Sequence, residues 1–363
     1  MSFSDRLLQW YAINGRPLPW RITNNSYIVW ISEIVLQQTR VDQGIGYVYR
    51  FVEAFPNVEA LAAAPTDQVL RIWQGLGYYS RARNLHVAAK QIVSQRNGQL
   101  PQCYNQWLQV KGVGPYTAAA IASIAFNQPV AAVDGNVFRV ISRIFALNEN
   151  IDTSKGKKVF YQIASELIDS RNPGNFNQAM MDFGATVCKP ASPKCNICVF
   201  NQECLAFLRK STNQFPQRKK RVKPRQRHLN YFLFYWKEER GELFFLVNQR
   251  KGNDIWKNLY ELPLIETQKH TEVEGITKTE TWKLWFPNSD EAYLATLPTC
   301  IKHQLTHQII VARFFMLGLN PARAGSLMGF YQKVSLDAFE KMPKSKLMCQ
   351  FIENQKILNI FNE

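Results

Sequence analysis

The sequence predicts a helical N-terminal domain followed by an α+β C-terminal domain, and three observations predict it. Residues 1 to about 187 read as successive amphipathic helices joined by short turns, with few strand signals. A basic stretch broken by prolines follows. After it come runs dense in aromatic and apolar residues, the composition of strands. A length of 363 residues exceeds the usual single core and favours two domains.

In the N-terminal part, apolar spacing predicts helices over Asp5 to Ile13, Tyr27 to Thr39 and Thr66 to Gln74. The segment LQVKGVGPYTAAAIASIAF, residues 108–126, reads as helix, glycine-rich turn, helix. Pro115 suits the first turn of the second helix, and the whole is a helix-hairpin-helix signature. Gly112, Val113 and Gly114 would bring backbone N–H groups and a helix N-terminus close to a phosphate. A plain turn between packed helices has the same pattern in isolation. Lys and Arg outnumber Asp and Glu by 44 to 28, a formal net charge of +16, which favours an anionic polymer and turns the reading towards DNA.

Cys188, Cys195, Cys198 and Cys204 crowd one loop, with gaps that let four thiolates close around one metal centre. Zinc and an iron-sulfur cluster both suit such a set. Seven cysteines, an odd count without a secretory leader, make a disulfide scaffold the poorer reading. No apolar run reaches the length of a spanning helix, and MSFSDRLLQW lacks a signal core. A cytoplasmic protein is expected, associated with the nucleoid if the source is a bacterium.

Phe207 to His228 carries nine Lys or Arg residues, no acid and two prolines, and reads as a linker. The expected boundaries are 1–208 for the helical domain, 209–228 for the linker and 229–363 for the α+β domain. In the last, Tyr231 to Trp236, Leu243 to Asn248, Thr281 to Phe286 and Ile309 to Leu317 read as strands. Ser335 to Phe339 and Ser345 to Ile357 read as helices packed on that sheet.

Two acids stand out. Glu33 lies in IVWISEIVL, where a carboxylate is costly to bury charged, so its pKa is expected to be raised. A salt-bridged or surface-facing acid is the alternative there. Asp134 precedes the periodic run NVFRVISRIFAL and reads first as a helix N-cap, a position that also permits it to face a cleft. Cleavage of a sugar bond uses two acids in different environments, one protonated to assist the leaving group and one ionised beside an oxocarbenium-like transition state.

Taken together, LPWR, SEIVLQQTRV, GLGYYSRARNLH, KGVGPYTAAAI, VDGNVFRV, FNQAMMDFGATVC and the four-cysteine loop resemble the MutY adenine DNA glycosylases nearly end to end. The resemblance implies a helix-hairpin-helix glycosylase domain, one 4Fe-4S cluster on the four cysteines and a Nudix-like C-terminal domain that reads 8-oxoguanine. It implies Glu33 and Asp134 as catalytic, with Tyr116 and Asn136 holding them in place. It makes Trp20, Arg21, Leu36 and Gln178 the adenine pocket, and Gln38 and Tyr78 the residues entering the base stack. Thr306 and His307 take the place of the family's Phe-Ser-His lesion loop, with Leu305 and Thr306 replacing Phe and Ser. Lyases of the wider superfamily carry a lysine where this chain has Tyr116, so a monofunctional hydrolysis is implied. The acid-rich Nudix metal box is missing after Leu262, which speaks against pyrophosphate hydrolysis. The implied partner is double-stranded DNA with adenine opposite 8-oxoguanine, bound by a monomer.

Overall fold

The computed structural model describes residues 1–219, 223–239, 241–287, 299–305 and 307–354. The chain divides into two compact units, Met1–Ala64 with Arg83–Lys220, and Pro65–Ala82 with Arg221–Glu363. Residues 65–82 thus belong with the C-terminal unit, and residues 225–228, expected in a linker, open its first strand.

The N-terminal unit is helical. Its helices are α1 (Phe3–Asn14), α2 (Ser26–Leu36), α3 (Val41–Ala54) and α4 (Val58–Ala63). Past α5 (Thr66–Ile72), which lies in the other unit, come α6 (Ser80–Arg96), α7 (Tyr104–Trp107), α8 (Pro115–Phe126) and α9 (Gly135–Ile144). The series ends with α10 (Ser154–Leu167), α11 (Pro173–Thr186) and α12 (Leu205–Leu208). Local chemistry sets the boundaries. Asn25 caps α2 through the backbone N–H groups of Tyr27 and Ile28, and Pro115 and Pro173 open α8 and α11 where a missing N–H costs nothing. Helix α2 stops at Leu36, short of the expected Thr39, and two residues on Gln38 adopts a left-handed φ of 55°. The first arm of the hairpin is one turn, ending at Trp107 instead of running on from Leu108.

Helix α2 is buried almost all round, from Tyr27 to Val35, as its composition requires. It packs on α8, and α11 packs on α1, α8 and α9. Gly184 of α11 permits a close approach to α9: a Cβ there would lie 2.6 Å from that of Asn136. No described helix is long and apolar enough to cross a membrane.

The C-terminal unit is built on a sheet. Among the described residues it has seven strands: β1 (Arg225–Lys237), β2 (Leu243–Gln249), β3 (Tyr260–Glu261), β4 (Leu264–Thr267), β5 (Thr299–Gln304), β6 (Gln308–Gly318) and β7 (Gln332–Ser335). Their order is β3-β2-β1-β6-β5, with β4 also on β1 and β7 on β2. Strands β1 and β6 run parallel, Tyr231 opposite Phe314, and the other pairs are antiparallel. Alternation sends Phe232, Phe234 and Phe315 to one face, where they meet Trp282 and Trp285. On the other face Phe314 stacks on Phe351, their centroids 4.0 Å apart.

Thr281 to Phe286, expected as a strand, is instead helical: the helix spans Glu280–Trp285, capped by the Thr279 hydroxyl, which accepts from Trp282 N–H. Its apolar residues Trp282, Trp285 and Phe286 recur at helical spacing, and a high aromatic content hid that period. Short elements with weak signals were missed, among them β3, β4, β5, β7 and a helix at Pro321–Leu327. The helices expected near the end are present as Leu336–Lys341 and Lys346–Asn354, while 355–357 lie outside the described residues.

Candidate active site

A cavity of about 580 Å³ opens in the N-terminal unit among α2, α8, α9, α11 and the turn at Pro19–Arg21. Its wall includes Trp20, Arg21, Glu33, Leu36, Tyr116, Asp134, Asn136 and Gln178. Five separate sequence segments expected to form the catalytic group and the adenine pocket therefore meet at one place.

Glu33 projects from the middle of buried α2 and is itself buried. Tyr116, in the first turn of α8, donates its hydroxyl to Glu33 Oε2 at 2.7 Å and lies 3.0 Å from Met181 Sδ. Burial raises the Glu33 pKa, the Tyr116 hydrogen bond and the Arg21 charge oppose that rise, and the Asp134 charge adds to it. Burial also drives the Tyr116 phenol well above its ordinary pKa, so it stays a neutral donor.

Asp134 is the N-cap of α9, and the cap orients it. Oδ1 accepts from the backbone N–H groups of Asn136 and Val137, both at 2.8 Å, and Oδ2 accepts from Asn136 Nδ2 at 2.7 Å. Burial raises its pKa, while these three donors and Arg139 favour the carboxylate. The cap and cleft readings of Asp134 are one arrangement: the caps hold a carboxylate at the cavity wall.

Behind Asn136 stands Arg139, donating to Asn136 Oδ1, to Gly184 O and to Cys188 O. Arg143, one turn on, reaches Cys188 Sγ at 3.5 Å and the carbonyls of Lys189 and Pro190. Cys188, Cys195, Cys198 and Cys204 line one small hollow with Ile144, Phe183 and Phe207. All four are free thiols. Burial raises those of Cys195, Cys198 and Cys204, that of Cys198 to about 12, and the neighbouring sulfurs add to the rise. Among the described residues no three His, Cys, Asp or Glu side chains converge on a position for one ion.

Reasoning from sequence missed Asp182. Its side chain has no solvent exposure, and both its oxygens are held by two arginines of the cavity wall. Arg21 donates to it at 2.6 and 2.9 Å, and Arg16 at 2.5 and 2.8 Å through its guanidinium and 2.9 Å through its backbone. Burial opposes the Asp182 charge, yet the two guanidiniums hold its carboxyl below the ordinary range. An acid in the apolar run AMMDFGA is the same signal that pointed to Glu33.

At the hairpin, Gly112 has a φ of 78°, and a Cβ there would meet that of Asn84 at 2.7 Å. Val113 is buried, whereas Gly114, the N-cap of α8, faces open space. Gln38 is exposed at its left-handed φ. In the other unit Tyr78 is also exposed and left-handed, with a φ of 48°. Non-glycine residues hold such backbone at a cost and are enriched at functional loops. Thr306 lies outside the described residues. His307 is exposed just before β6, and His303 sits in β5.

Residues 31–167 match the HhH-GPD superfamily base excision DNA repair protein family. An adenine DNA glycosylase of Buchnera aphidicola is 36% identical over 74% of this chain and 75% of its own length. One from Rattus norvegicus is 32% identical over 85% of this chain and 70% of its own. Among solved structures, a thermostable thymine-DNA glycosylase superposes with a TM-score of 0.54 at 28% identity, over 57% of this chain and 95% of that one. The match to the helix-hairpin-helix glycosylase family and the relatives that cover most of the chain agree, and the chain belongs to the MutY-type adenine DNA glycosylases of base excision repair.

Proposed function

We propose that this glycosylase flips adenine out of double-stranded DNA, where it is mispaired with 8-oxoguanine or guanine, and removes it by monofunctional hydrolysis. The observation that carries the reading is the 2.7 Å bond from Tyr116 to Glu33 in a cavity shared with Asp134. Glu33, whose carboxyl burial biases towards the protonated form, donates to the departing base and then takes a proton from the attacking water. Asp134, with donors fixed on both oxygens, supplies negative charge beside the oxocarbenium-like sugar. Tyr116 has no amine with which to form a Schiff base.

The cavity suits adenine. Trp20 and Leu36 offer apolar wall, and among the described residues Gln178 Oε1 is buried without a hydrogen-bond partner. A buried acceptor left open is costly in the empty site, and an exocyclic amine satisfies it. Gln38 and Tyr78 are the residues that would enter the stack the adenine leaves. The glycines at 112 and 114, with Val113 between them, would hold a phosphate at the start of α8.

The four cysteines fit one 4Fe-4S cluster. They line one hollow and are the residues that would hold it, since four thiolates complete the ligand set of such a cluster as they would that of a zinc ion. The sheet unit is read as a Nudix-like module that recognises 8-oxoguanine through Thr306 and His307, and the enzyme as a monomer of the cytoplasm.

Single-turnover incubation with adenine opposite 8-oxoguanine, followed by alkali, tests the reading. Strand cleavage only after alkali, absent in Glu33→Gln, supports it. Nicking without alkali, or removal of thymine opposite guanine instead of adenine, overturns it.

A further inference from the structure

Residues 65–82 lie between helices of the glycosylase fold in sequence but belong to the sheet-bearing unit. They include Tyr78. We propose that the sheet unit governs mispair discrimination by holding the Tyr78 loop, with Tyr79, Gln74 and Asp67 as the positioning residues. The inference rests on the reading of Tyr78 as a residue that enters the base stack.

The loop needs support at Tyr78, whose φ of 48° is left-handed, whereas Gly75 and Gly77 beside it take φ of 94° and 77° freely. A tyrosine persists at such a φ only where its surroundings over-determine it. Part of that support is local: Gly77 O accepts from Trp73 Nε1 at 3.0 Å and from the Arg81 guanidinium at 3.3 Å. Arg81 also lies over the Tyr78 ring, 5.3 Å from its centroid.

The rest comes from the far end of the chain. Buried Tyr79 accepts from Gly75 N–H at 3.3 Å and donates to Lys344 O at 3.0 Å. Gln74 Oε1 accepts from Lys344 N–H at 3.0 Å, and its Nε2 reaches Cys349 Sγ at 3.2 Å. Lys344 is itself fixed: its buried ammonium donates to the carbonyls of Glu340 and Met342, and its backbone bridges to Tyr260 of β3. At the start of α5, the Asp67 carboxylate accepts from Tyr260 Oη at 3.2 Å and from Gln249 Nε2 of β2 at 3.3 Å. The Tyr78 loop is therefore carried by the β2–β3 side of the sheet through polar bonds spanning more than 180 residues of sequence.

This makes the unit assigned to the lesion act twice, through its own contacts with the base and through the side chain that opens the stack beside it. Because the connection is made of directed hydrogen bonds, a single hydroxyl tests it.

Tyr79→Phe keeps the ring and removes both bonds. Single-turnover rates on adenine opposite 8-oxoguanine and opposite guanine are compared for the full-length wild type, Tyr79→Phe, Tyr78→Ala and the double variant. A 2-aminopurine beside the lesion reports unstacking, and melting curves report the fold. Tyr79→Phe is expected to lower the 8-oxoguanine preference by about fivefold, the size of one net hydrogen bond, and to reduce the 2-aminopurine signal. The double variant should match Tyr78→Ala, and Gln74→Ala should behave as Tyr79→Phe does. If Tyr78→Ala lowers the preference but Tyr79→Phe and Gln74→Ala do not, or if their effects add to its own, the anchoring is overturned while the role of Tyr78 stands. If Tyr78→Ala changes nothing, the reading of Tyr78 fails and the inference with it.

Discussion

The Tyr116 hydroxyl donates to Glu33 Oε2 at 2.7 Å, joining the first turn of the hairpin's second helix to the centre of α2. This bond lowers a Glu33 pKa that burial raises. In Tyr116→Phe that opposition is lost, so Glu33 keeps its proton to higher pH and the fall in rate with rising pH moves upward. The rate itself should drop on the order of tenfold to a hundredfold, because the carboxyl loses its orienting partner. A pH profile of single-turnover rate checks both, and a limb that moves to lower pH contradicts the assignment.

Asp134→Asn separates two roles of one side chain. Asn caps as well as Asp, so α9 keeps its two backbone bonds and loses only the one that Asn136 Nδ2 donates, and stability should fall far less than activity does. The negative charge at the cavity wall is lost, however, and activity should fall on the order of 10²-fold or more. Melting by circular dichroism beside single-turnover kinetics decides: loss of stability in proportion to activity would reduce Asp134 to a structural cap.

Asp182→Asn should be the structurally expensive substitution. It leaves two guanidiniums at a buried site without their anion, which costs about 3 kcal/mol or more. The Asp182 pKa in the folded state lies below its ordinary value. Its contribution is therefore complete above that ordinary value and is lost as pH falls through the folded one. Denaturant melts should show a gap between wild type and variant that is full at neutral pH and closes in acid. A gap independent of pH would mean the carboxylate charge is not what matters.

The comparison of Glu33 with Asp182 shows what was legible. Both are acids in apolar helical runs, and the cost of burying charge marks both, but only the structure reveals that one takes a neutral tyrosine as partner and the other two arginines. Asp134 and the hairpin glycines were readable because caps and turns are local. The helix at Glu280–Trp285 was misread because three aromatic residues carry a strong strand signal at helical spacing. The membership of residues 65–82 could not be read at all: Asp67 and its partners Gln249 and Tyr260 lie more than 180 residues apart, and no local pattern encodes such a pairing.

The cysteine hollow makes an analytical prediction. Purified without air, the protein should carry about four irons and four sulfides per chain, with the broad visible absorbance of a cluster. Cys198→Ser should lose that absorbance and lower the melting temperature, since α11, α12 and the loop between them pack around the hollow. One zinc and no iron would assign the four thiolates to a structural ion instead.

Gly112 and Gly114 should respond differently to alanine, although they stand two residues apart in one turn. At Gly112 the new Cβ meets Asn84 at 2.7 Å and the backbone is left-handed, so Gly112→Ala strains the turn itself and costs about 1 kcal/mol or more of stability. At Gly114 φ is −96° and nothing lies within 4 Å of a Cβ, so Gly114→Ala leaves the fold intact. The methyl group is then added in open space at the N-cap of α8, the helix end where a phosphate would come. Anisotropy titration of Gly114→Ala with duplex DNA should show affinity reduced about tenfold, uniformly across sequences, since a phosphate contact positions without reading bases. Unchanged affinity with an unchanged melting temperature would mean that the hairpin is a turn between packed helices and that DNA is held elsewhere.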